Sequence, residues 1–350
     1  MSLRVAVLPG DGVGPEVAGA ASRVLDAACR AEGVGLRAEE HAFGGAAIDA
    51  HGAPLPDATR AACLASDAVL LGAVGGPRWD EAARRGGPRP EAGLLALRAA
   101  MGLFANLRPS RLFPGLATAS PLRPEVVEGT DVLVVRELTG GIYFGDKQEG
   151  TDKASDLCPY SRAEVARVAL VAFEAARARS GRVTSVDKAN VLATSRLWRT
   201  VVDELAADAP DVTVEHQLVD AMAMHLVTRP ASFDVVVTEN LFGDVLSDEL
   251  SAIVGSVGLA PSASLGARGA PGLYEPVHGS APDIAGAGVA NPVGAVLSAA
   301  MLLRHSGASL AGAARIERAV EDALSDGLRT RDLGGDASTA DAEAAILGRL

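Results

Sequence analysis

Short strand-like runs alternate with helix-like segments along the whole chain, and this alternation restricts the fold most. The strand-like runs lie at 4–8, 67–75, 131–138, 182–190, 212–220 and 233–240. In 67–75 (DAVLLGAVG) apolar residues follow one another rather than alternating with polar ones, which indicates a strand covered on both faces. Helix-like stretches such as 15–31 and 161–179 separate the runs. The sequence therefore predicts α/β layers around a largely parallel sheet.

The first junction between a strand and a helix reads RVAVLPGDGVGPE, residues 4–16. Gly10, Gly12 and Gly14 are typical of a dinucleotide fold, in which glycines admit a pyrophosphate to a helix N-terminus. Pro15 stands where that pattern needs a further glycine, and proline instead suits the first turn of a helix. The motif alone leaves open whether this turn binds a nucleotide.

Length, charge and cysteine content exclude several classes of protein. A chain of 350 residues favours two domains, and a formal net charge of −12 argues against a broad surface for nucleic acid. Cys29, Cys63 and Cys158 have no metal-ligand spacing and cannot all pair, which fits a reducing cytosol. The apolar run at the start is too short for a signal peptide, and 292–303 is too short to span a membrane. We therefore expect a cytoplasmic protein with neither a nucleic-acid nor a membrane partner.

The segment ENLFGDVLSDEL, residues 239–250, is the strongest candidate for a cation site. Asp244 and Asp248 are four residues apart, so a helix presents both carboxylates on one face. An isolated pair of this kind is usually a solvated edge, but the apolar neighbours here argue against a wholly exposed helix. Two like charges at this spacing repel unless a cation lies between them, and oxygen ligands favour Mg²⁺ or Mn²⁺. Asp220 is a third candidate, whose alternative role is a helix cap.

Three arginines are candidates for binding an anion. Arg136 follows a run of buried strand residues and needs an anionic partner there, whereas Arg98 alone would be read as a surface cation. The planar guanidinium of these residues and of Arg108 is suited to carboxylates. Lys188 and Tyr143 are further candidates, although spacing alone makes neither catalytic. Tyr143 lies in the long polar segment 137–161, which is typical of a functional or partner-binding excursion.

Taken together, these segments resemble the β-decarboxylating hydroxyacid dehydrogenases, the isocitrate/isopropylmalate dehydrogenase family. The resemblance runs nearly end to end in the same order. It is carried by motifs that include LPGDGVGPEV, LLGAVGGPRWD, RPEAGLLALR, NLRPSRLFPGL, VRELTGGIYFG, SVDKANVL, VDAMAMHL, NLFGDVLSDE, EPVHGSAPDIAGAGVANP and DLGG.

The resemblance implies a two-domain α/β fold of that family, with layered sheets and helices, and not a Rossmann dinucleotide fold. A first domain of 1–102 plus 255–350 would carry the cofactor loops, and a second domain of 103–254 the metal site and the dimer interface. An arm at about 137–161 would reach across a homodimer. The glycine turn would belong to the fold, with the nicotinamide cofactor bound against 278–291, helped by 75–91.

The resemblance also implies an activity, the NAD-dependent oxidative decarboxylation of 3-isopropylmalate to 4-methyl-2-oxopentanoate (2-oxoisocaproate) and CO₂ in leucine biosynthesis, with Mg²⁺ or Mn²⁺. Relatives that act on isocitrate, homoisocitrate, tartrate or malate are alternatives. A non-catalytic regulatory subunit is a further alternative, against which the complete set of acid, base and metal residues argues.

Roles follow from the resemblance residue by residue. Lys188 would take the hydroxyl proton through water and Tyr143 would return a proton to the enol carbon. The substrate would contact Leu94, Arg98, Arg108, Arg136 and Asp220. The metal would be held by Asp220, Asp244 and Asp248, with Lys188 and Asp220 reaching into the partner's site of the homodimer. The cofactor would contact Glu91, Asn190, His278, Gly279, Ser280, Ala281, Pro282, Asp283 and Asn291. A carboxylate at Asp283 favours NAD over NADP, because it accepts hydrogen bonds from ribose hydroxyls and repels a 2′-phosphate.

Overall fold

A computed structural model describes residues 2–350. The chain begins with β1 (Ser2–Gly10), α1 (Gly14–Ala31), β2 (Gly35–Glu40), α2 (Gly44–His51), α3 (Asp57–Ala65), β3 (Ala68–Ala73), α4 (Pro77–Ala83), α5 (Pro90–Ala100) and β4 (Ala105–Arg111). It continues with α6 (Pro124–Val127), β5 (Asp131–Glu137), β6 (Lys147–Gln148), β7 (Ser155–Asp156), α7 (Arg162–Arg177), β8 (Arg182–Asp187), α8 (Ala193–Ala207), β9 (Thr213–Leu218), α9 (Val219–Thr228) and β10 (Val235–Thr238). It ends with α10 (Asn240–Ile253), β11 (Pro261–Leu265), β12 (Gly272–Pro276), α11 (Val293–His305), α12 (Leu310–Ser325) and α13 (Thr339–Leu347).

The chain forms two compact units. The first comprises the described residues up to Leu103 together with Phe113–Ala119 and Gly255–Leu350, and the second comprises Phe104–Leu112 and Ser120–Val254. The domain bounds given by the resemblance, 1–102 plus 255–350 and 103–254, stay a prediction.

The first unit contains strands in the order β2-β1-β3-β12-β11. β1 lies parallel to β2 and β3, β12 lies parallel to β3, and β11 is antiparallel to β12. Every residue of β3 is buried, so its continuous apolar run is covered on both faces as predicted. Helix α11, which contains most of the apolar stretch 292–303, is a buried core helix that packs against α1, α12 and β12. Among residues 2–350, no helix is long and apolar enough to cross a membrane.

The second unit contains strands in the order β4-β5-β10-β8-β9. β5, β10, β8 and β9 run parallel to one another, whereas β4 is antiparallel to β5. The carboxyl ends of parallel strands meet at one edge of a sheet, where α/β proteins bind ligands. Arg136 is the last but one residue of β5, and Lys188 and Asp220 follow the ends of β8 and β9. Helix α10 begins two residues after β10 ends at that edge.

Helix α10 is amphipathic in the way that its sequence predicts. Leu246, Leu250 and Ile253 are buried in a core with apolar residues of β5, β8, β10 and α9. That packing fixes the rotation of the helix, so that Asp244 and Asp248 remain partly exposed. The prediction that both carboxylates share a helix is confirmed.

The glycine turn after β1 is filled by protein atoms. Gly10 and Gly12 have φ values of +72° and +60°, which favour glycine. A Cβ atom on Gly12 would lie 1.9 Å from the carbonyl oxygen of Ser280, which also accepts a 2.8 Å hydrogen bond from the Val13 N–H. Pro15 lies in the first turn of α1, as predicted. The turn is therefore a packing element, in keeping with the implication of the resemblance that it belongs to the fold.

An internal carboxylate takes the place that an external anion would have beside this turn. The buried Asp11 side chain accepts backbone N–H bonds from Gly45 and Ala46, both at 2.8 Å, and from Gly75 at 2.9 Å. Gly45 and Ala46 belong to the first turn of α2, where free N–H groups attract negative charge. Asp11 thus ties three segments of the first unit together.

Candidate active site

Three side chains converge on the carboxylate of Asp244. Arg136 forms an ion pair with Oδ1, Arg108 Nη1 lies 3.1 Å from the same oxygen, and the Tyr143 hydroxyl donates to Oδ2 at 2.6 Å. The Arg136 guanidinium also lies 5.2 Å from the centre of the Tyr143 ring, a cation–π distance. Asp244 is 136 residues from Arg108 and 108 residues from Arg136 in the sequence. These side chains meet because the elements that carry them lie at the same edge of the sheet.

Both arginines are buried, and neutral side chains hold them in place. Asn240 Oδ1 accepts from Arg136 Nε and Nη2 at 3.0 and 2.8 Å. Arg108 donates to Asn106 Oδ1 at 2.7 Å and to Ser247 Oγ at 2.8 Å. A buried guanidinium needs such partners because each unpaired donor loses hydration without compensation. Sequence analysis missed these three residues, although Ser247 lies one helical turn after Asp244 and could have been found by its spacing.

The donor set of α10 fits a divalent cation. Asp248 Oδ1 lies 3.4 Å from the Arg108 Nη1 atom that also contacts Asp244, so the two carboxylates approach one point. The side chains of Asp244 and Asp248 are 32% and 62% exposed, so solvent reaches both carboxylates. Burial raises the pKa of the Asp248 carboxyl, with the Asp244 charge adding to that effect and Arg108 opposing it. A cation there would relieve this repulsion, since Mg²⁺ and Mn²⁺ prefer carboxylate oxygens.

A third carboxylate from the same chain does not complete this donor set. Throughout residues 2–350, no group of three or more Asp, Glu, His or Cys side chains is placed to hold one metal ion. Asp220 instead pairs with Lys188 at 2.7 Å, and this hydrogen bond lowers the pKa of the Asp220 carboxyl. Asp220 lies in the first turn of α9 rather than at its cap.

The environment of Tyr143 keeps its hydroxyl protonated. Burial raises the pKa of this phenol, and the hydrogen bond to Asp244 adds to the effect while Arg136 opposes it. A phenol whose pKa lies above its ordinary value near 10 carries its proton throughout the neutral range. Tyr143 is therefore a protonated hydroxyl that lies between Asp244 and Arg136 and can act as a proton donor.

Two sets of hydrogen bonds fix the chain at Lys188 and at the residue before it. The Lys188 N–H donates to Ser195 Oγ at 3.0 Å. The preceding residue, Asp187, is buried and paired with Arg199 through two hydrogen bonds of 2.8 and 3.0 Å. The ammonium group of Lys188 is thus presented at the end of β8 from a rigid base.

In the first unit, Arg98 is buried rather than a surface cation. It is 7% exposed, and its Nη2 donates to Glu275 at 2.8 Å, while its buried Nε has no hydrogen-bond partner. Leu94 lies half-buried one helical turn earlier on α5. An orphaned guanidinium donor beside an apolar residue fits an anion that also carries an alkyl group.

The first unit also contains a cavity of about 510 Å³. Its lining includes Val13, Gly258, His278, Gly279, Ala281, Ile284, Asn291 and Asp332. Burial lowers the pKa of His278, so its ring is neutral, and its Nδ1 donates to the Gly279 carbonyl at 2.9 Å. The Nε2 atom of His278 is then an acceptor, and it is buried without a hydrogen-bond partner. A polar group of a ligand bound in the cavity could supply that partner.

Some of the other predicted cofactor residues line this cavity, and the rest lie outside its lining. Ala281 in the lining has a φ of 38°, unusual for a residue with a Cβ, and such strain is typical of ligand-binding loops. Asn291 is held by Asp332 and by the Val293 N–H, both at 3.0 Å. Ser280 packs on the glycine turn. Outside the lining lie exposed Glu91, Asn190, Pro282 and Asp283.

Comparison with known proteins places this arrangement in a family. The sequence pattern of the isocitrate/isopropylmalate dehydrogenases matches residues 4–346. The chain belongs to the isocitrate/isopropylmalate dehydrogenase family.

Relatives within this family differ in how similar they are to the chain. It is 56% identical to a 3-isopropylmalate dehydrogenase of Anaeromyxobacter dehalogenans over 100% of both chains. It is 54% identical to a 3-isopropylmalate dehydrogenase of Streptococcus thermophilus, again over 100% of both. A crystal structure of an isocitrate dehydrogenase from Methylococcus capsulatus superposes with a TM-score of 0.88 at 36% identity, over 99% of each chain. The predicted family and fold are confirmed.

Replacing Asp244 by Asn is expected to weaken Mn²⁺ binding by at least about tenfold, because the site loses an anionic ligand while both arginines remain. Free Mn²⁺ measured by electron paramagnetic resonance in a titration gives the affinity. Asp203→Asn, which removes an exposed carboxylate on α8, is the matched control and should bind like the parent protein. Equal Mn²⁺ affinity in the Asp244 variant would contradict the assignment of this ligand.

Proposed function

We propose that the protein catalyses the NAD-dependent oxidative decarboxylation of 3-isopropylmalate to 4-methyl-2-oxopentanoate and CO₂, a step of leucine biosynthesis in the cytoplasm. The observation that carries this proposal is the convergence of Arg108, Arg136 and Tyr143 on Asp244 beside Asp248. Anion-binding groups, carboxylates for a cation and a protonated phenol are what a decarboxylating dehydrogenase needs. The choice of substrate rests on the relatives named 3-isopropylmalate dehydrogenase, to which the chain is more than half identical.

The residues present fit a dicarboxylate that bears an alkyl group. Arg98, Arg108 and Arg136 hold the carboxylates, because each offers a planar set of donors. Leu94 contacts the isopropyl group. Burial of the isopropyl group contributes roughly 2 kcal/mol to the binding free energy, so an analogue with a polar group in its place is disfavoured by about a few tens of fold. Asp220, Asp244 and Asp248 hold the divalent cation.

Proton movements are assigned to two side chains. Lys188 takes the proton of the substrate hydroxyl through water while the C–H bond next to that oxygen is broken. The bond between the adjacent carbon and its own carboxylate then breaks with loss of CO₂. Its electron pair forms the double bond of the enol, and Tyr143 returns a proton to that adjacent carbon. When bound, NAD accepts the hydride and Mg²⁺ or Mn²⁺ stabilises negative charge on the substrate oxygens. Arg136, in contact with both Tyr143 and Asp244, keeps the acid oriented.

NAD rather than NADP is the proposed cofactor. Asp283 lies exposed on the loop that borders the cavity of the first unit, where its carboxylate would accept from ribose hydroxyls and repel a 2′-phosphate. His278, Gly279, Ser280, Ala281, Pro282 and Asn291 complete the proposed set on this loop, with Glu91 and Asn190 as further contacts.

An assay of NADH formation tests this proposal. The purified protein is expected to reduce NAD with 3-isopropylmalate and Mg²⁺ or Mn²⁺, and to lose turnover in excess chelator. Isocitrate, malate and tartrate should give kcat/KM values lower by about tens of fold, because none buries an isopropyl group. Comparable kcat/KM with isocitrate, comparable efficiency with NADP, or turnover that is independent of metal would contradict the corresponding part of the proposal.

We also propose that the active unit is a two-fold dimer whose sites combine Lys188 and Asp220 of one subunit with Tyr143, Asp244 and Asp248 of the other. Two observations support it. Asp220 does not join Asp244 and Asp248 in one metal-binding group of the described chain. Met224, Val227 and Val245 are exposed apolar side chains on α9 and α10. The two helices pack against each other, so these side chains would form one apolar surface for a second subunit.

Mixed dimers test the sharing of sites. Lys188→Ala and Asp244→Asn are each expected to be nearly inactive, and they are unfolded and refolded together in equal amounts. If sites are shared, a mixed dimer has one doubly altered site and one intact site. Random pairing makes about half of the dimers mixed, so activity should recover to about a quarter of the parent value. No recovery, with mixed dimers shown to have formed, would rule out shared sites.

A further inference from the structure

A buried cluster of two carboxylates and a phenol lies behind Tyr143 and has no role in the chemistry above. The Tyr160 hydroxyl lies 3.2 Å from Glu137 Oε2 and 3.4 Å from Glu239 Oε2, and it accepts from the Asn240 N–H at 3.0 Å. Both carboxylates are buried, and burial raises the pKa of each. Tyr160 therefore supplies a neutral donor where two acidic groups face each other out of water.

One carboxylate of the cluster holds the turn that carries Tyr143, and the other holds the helix that carries Asp244. Glu137 accepts from the backbone N–H groups of Thr139 and Gly140 at 3.0 and 2.8 Å, which fixes the start of the turn that carries Tyr143. Glu239 caps α10 by accepting from the Phe242 N–H at 3.2 Å, and α10 carries Asp244. The hydroxyl of Tyr160 is the link between these two halves.

The ring of Tyr160 is also wedged under the Tyr143 turn. A Cβ atom on Gly140 or Gly141 would lie 2.6 or 2.5 Å from atoms of this side chain, so the turn rests directly on it. The Gly141 N–H donates to the Pro159 carbonyl next to Tyr160 at 3.0 Å. On the other side, Tyr160 packs edge-to-face against Trp198, with ring centres 5.9 Å apart.

We infer that Tyr160 is a positioning residue that sets the distance between the hydroxyl of Tyr143 and the carboxylate of Asp244. The inference rests on the proposed function of Tyr143 as the general acid. Proton delivery depends steeply on the placement of the acid. The Tyr160 hydroxyl contacts Asn240 at its backbone N–H, whereas Arg136 is bound by the Oδ1 atom of the Asn240 side chain and Arg108 by Asn106 and Ser247. Loss of the Tyr160 hydroxyl should therefore impair the final proton transfer rather than substrate binding.

Tyr160→Phe keeps the ring and removes only the hydroxyl. We expect kcat to fall about tenfold, with KM for 3-isopropylmalate within about twofold of the parent value. The solvent deuterium isotope effect on kcat should rise, because a misplaced acid makes protonation rate-limiting. A general loss of folded enzyme would lower the activity and leave the isotope effect unchanged. Glu137→Gln, which removes the charge that holds the Tyr143 turn, should give the same signature and replaces Tyr160→Phe if that variant does not fold.

Trp198→Phe is the matched control on the far side of the Tyr160 ring. It removes a 3.2 Å hydrogen bond to Ser185 and part of the packing, so it should lower the melting temperature and leave kcat and the isotope effect unchanged. A kcat of Tyr160→Phe within twofold of the parent, or the same rise of the isotope effect in Trp198→Phe, would overturn the positioning role.

Tyr143→Phe separates the positioning role of Tyr160 from the proposed role of Tyr143 as the general acid. If it is inactive while Tyr160→Phe resembles the parent, only the positioning role is wrong. If it is fully active, the proposed general acid is wrong as well.

Discussion

The carboxylate of Asp244 is the interaction on which the site of the second unit depends. Two buried guanidinium groups, those of Arg108 and Arg136, and the phenol of Tyr143 meet on its two oxygens. A buried positive charge without a partner costs several kcal/mol, so these side chains require an acid at this point. Helix α10 can supply it only because it begins at the carboxyl edge of β5 and β10 and turns its apolar face into the core. Fold and chemistry are thus set by the same helix.

Much of the fold could be predicted, because it depends on local patterns. The apolar run of β3 and the spacing of Asp244 and Asp248 each follow from one short segment. Strand β4 could not be predicted in this way. It contains Asn106, Arg108 and Pro109, and its polar side chains are buried by partners far along the chain. Its strand conformation is decided by antiparallel pairing with β5, which the sequence of β4 does not display.

The limits of prediction at the site have the same cause. Arg136 was found because a charge at the end of a buried strand needs an anionic partner, but that partner, Asp244, lies 108 residues away. Glu275, which pairs with Arg98, is 177 residues away. Tyr160 reads as an ordinary aromatic residue in a polar segment, and only its position between Glu137 and Glu239 indicates a role. The resemblance to a family supplied roles for residues whose spacing is uninformative, such as Lys188.

The position of a bound Mn²⁺ ion shows whether the carboxylates of α10 form the metal site. Anomalous scattering at the manganese edge, from crystals grown with Mn²⁺ and 3-isopropylmalate, locates the ion independently of any assumption about its ligands. We expect a peak in coordination contact with oxygens of both Asp244 and Asp248, in place of their shared contact with Arg108. A peak elsewhere, or no peak at these carboxylates with substrate bound, would contradict it.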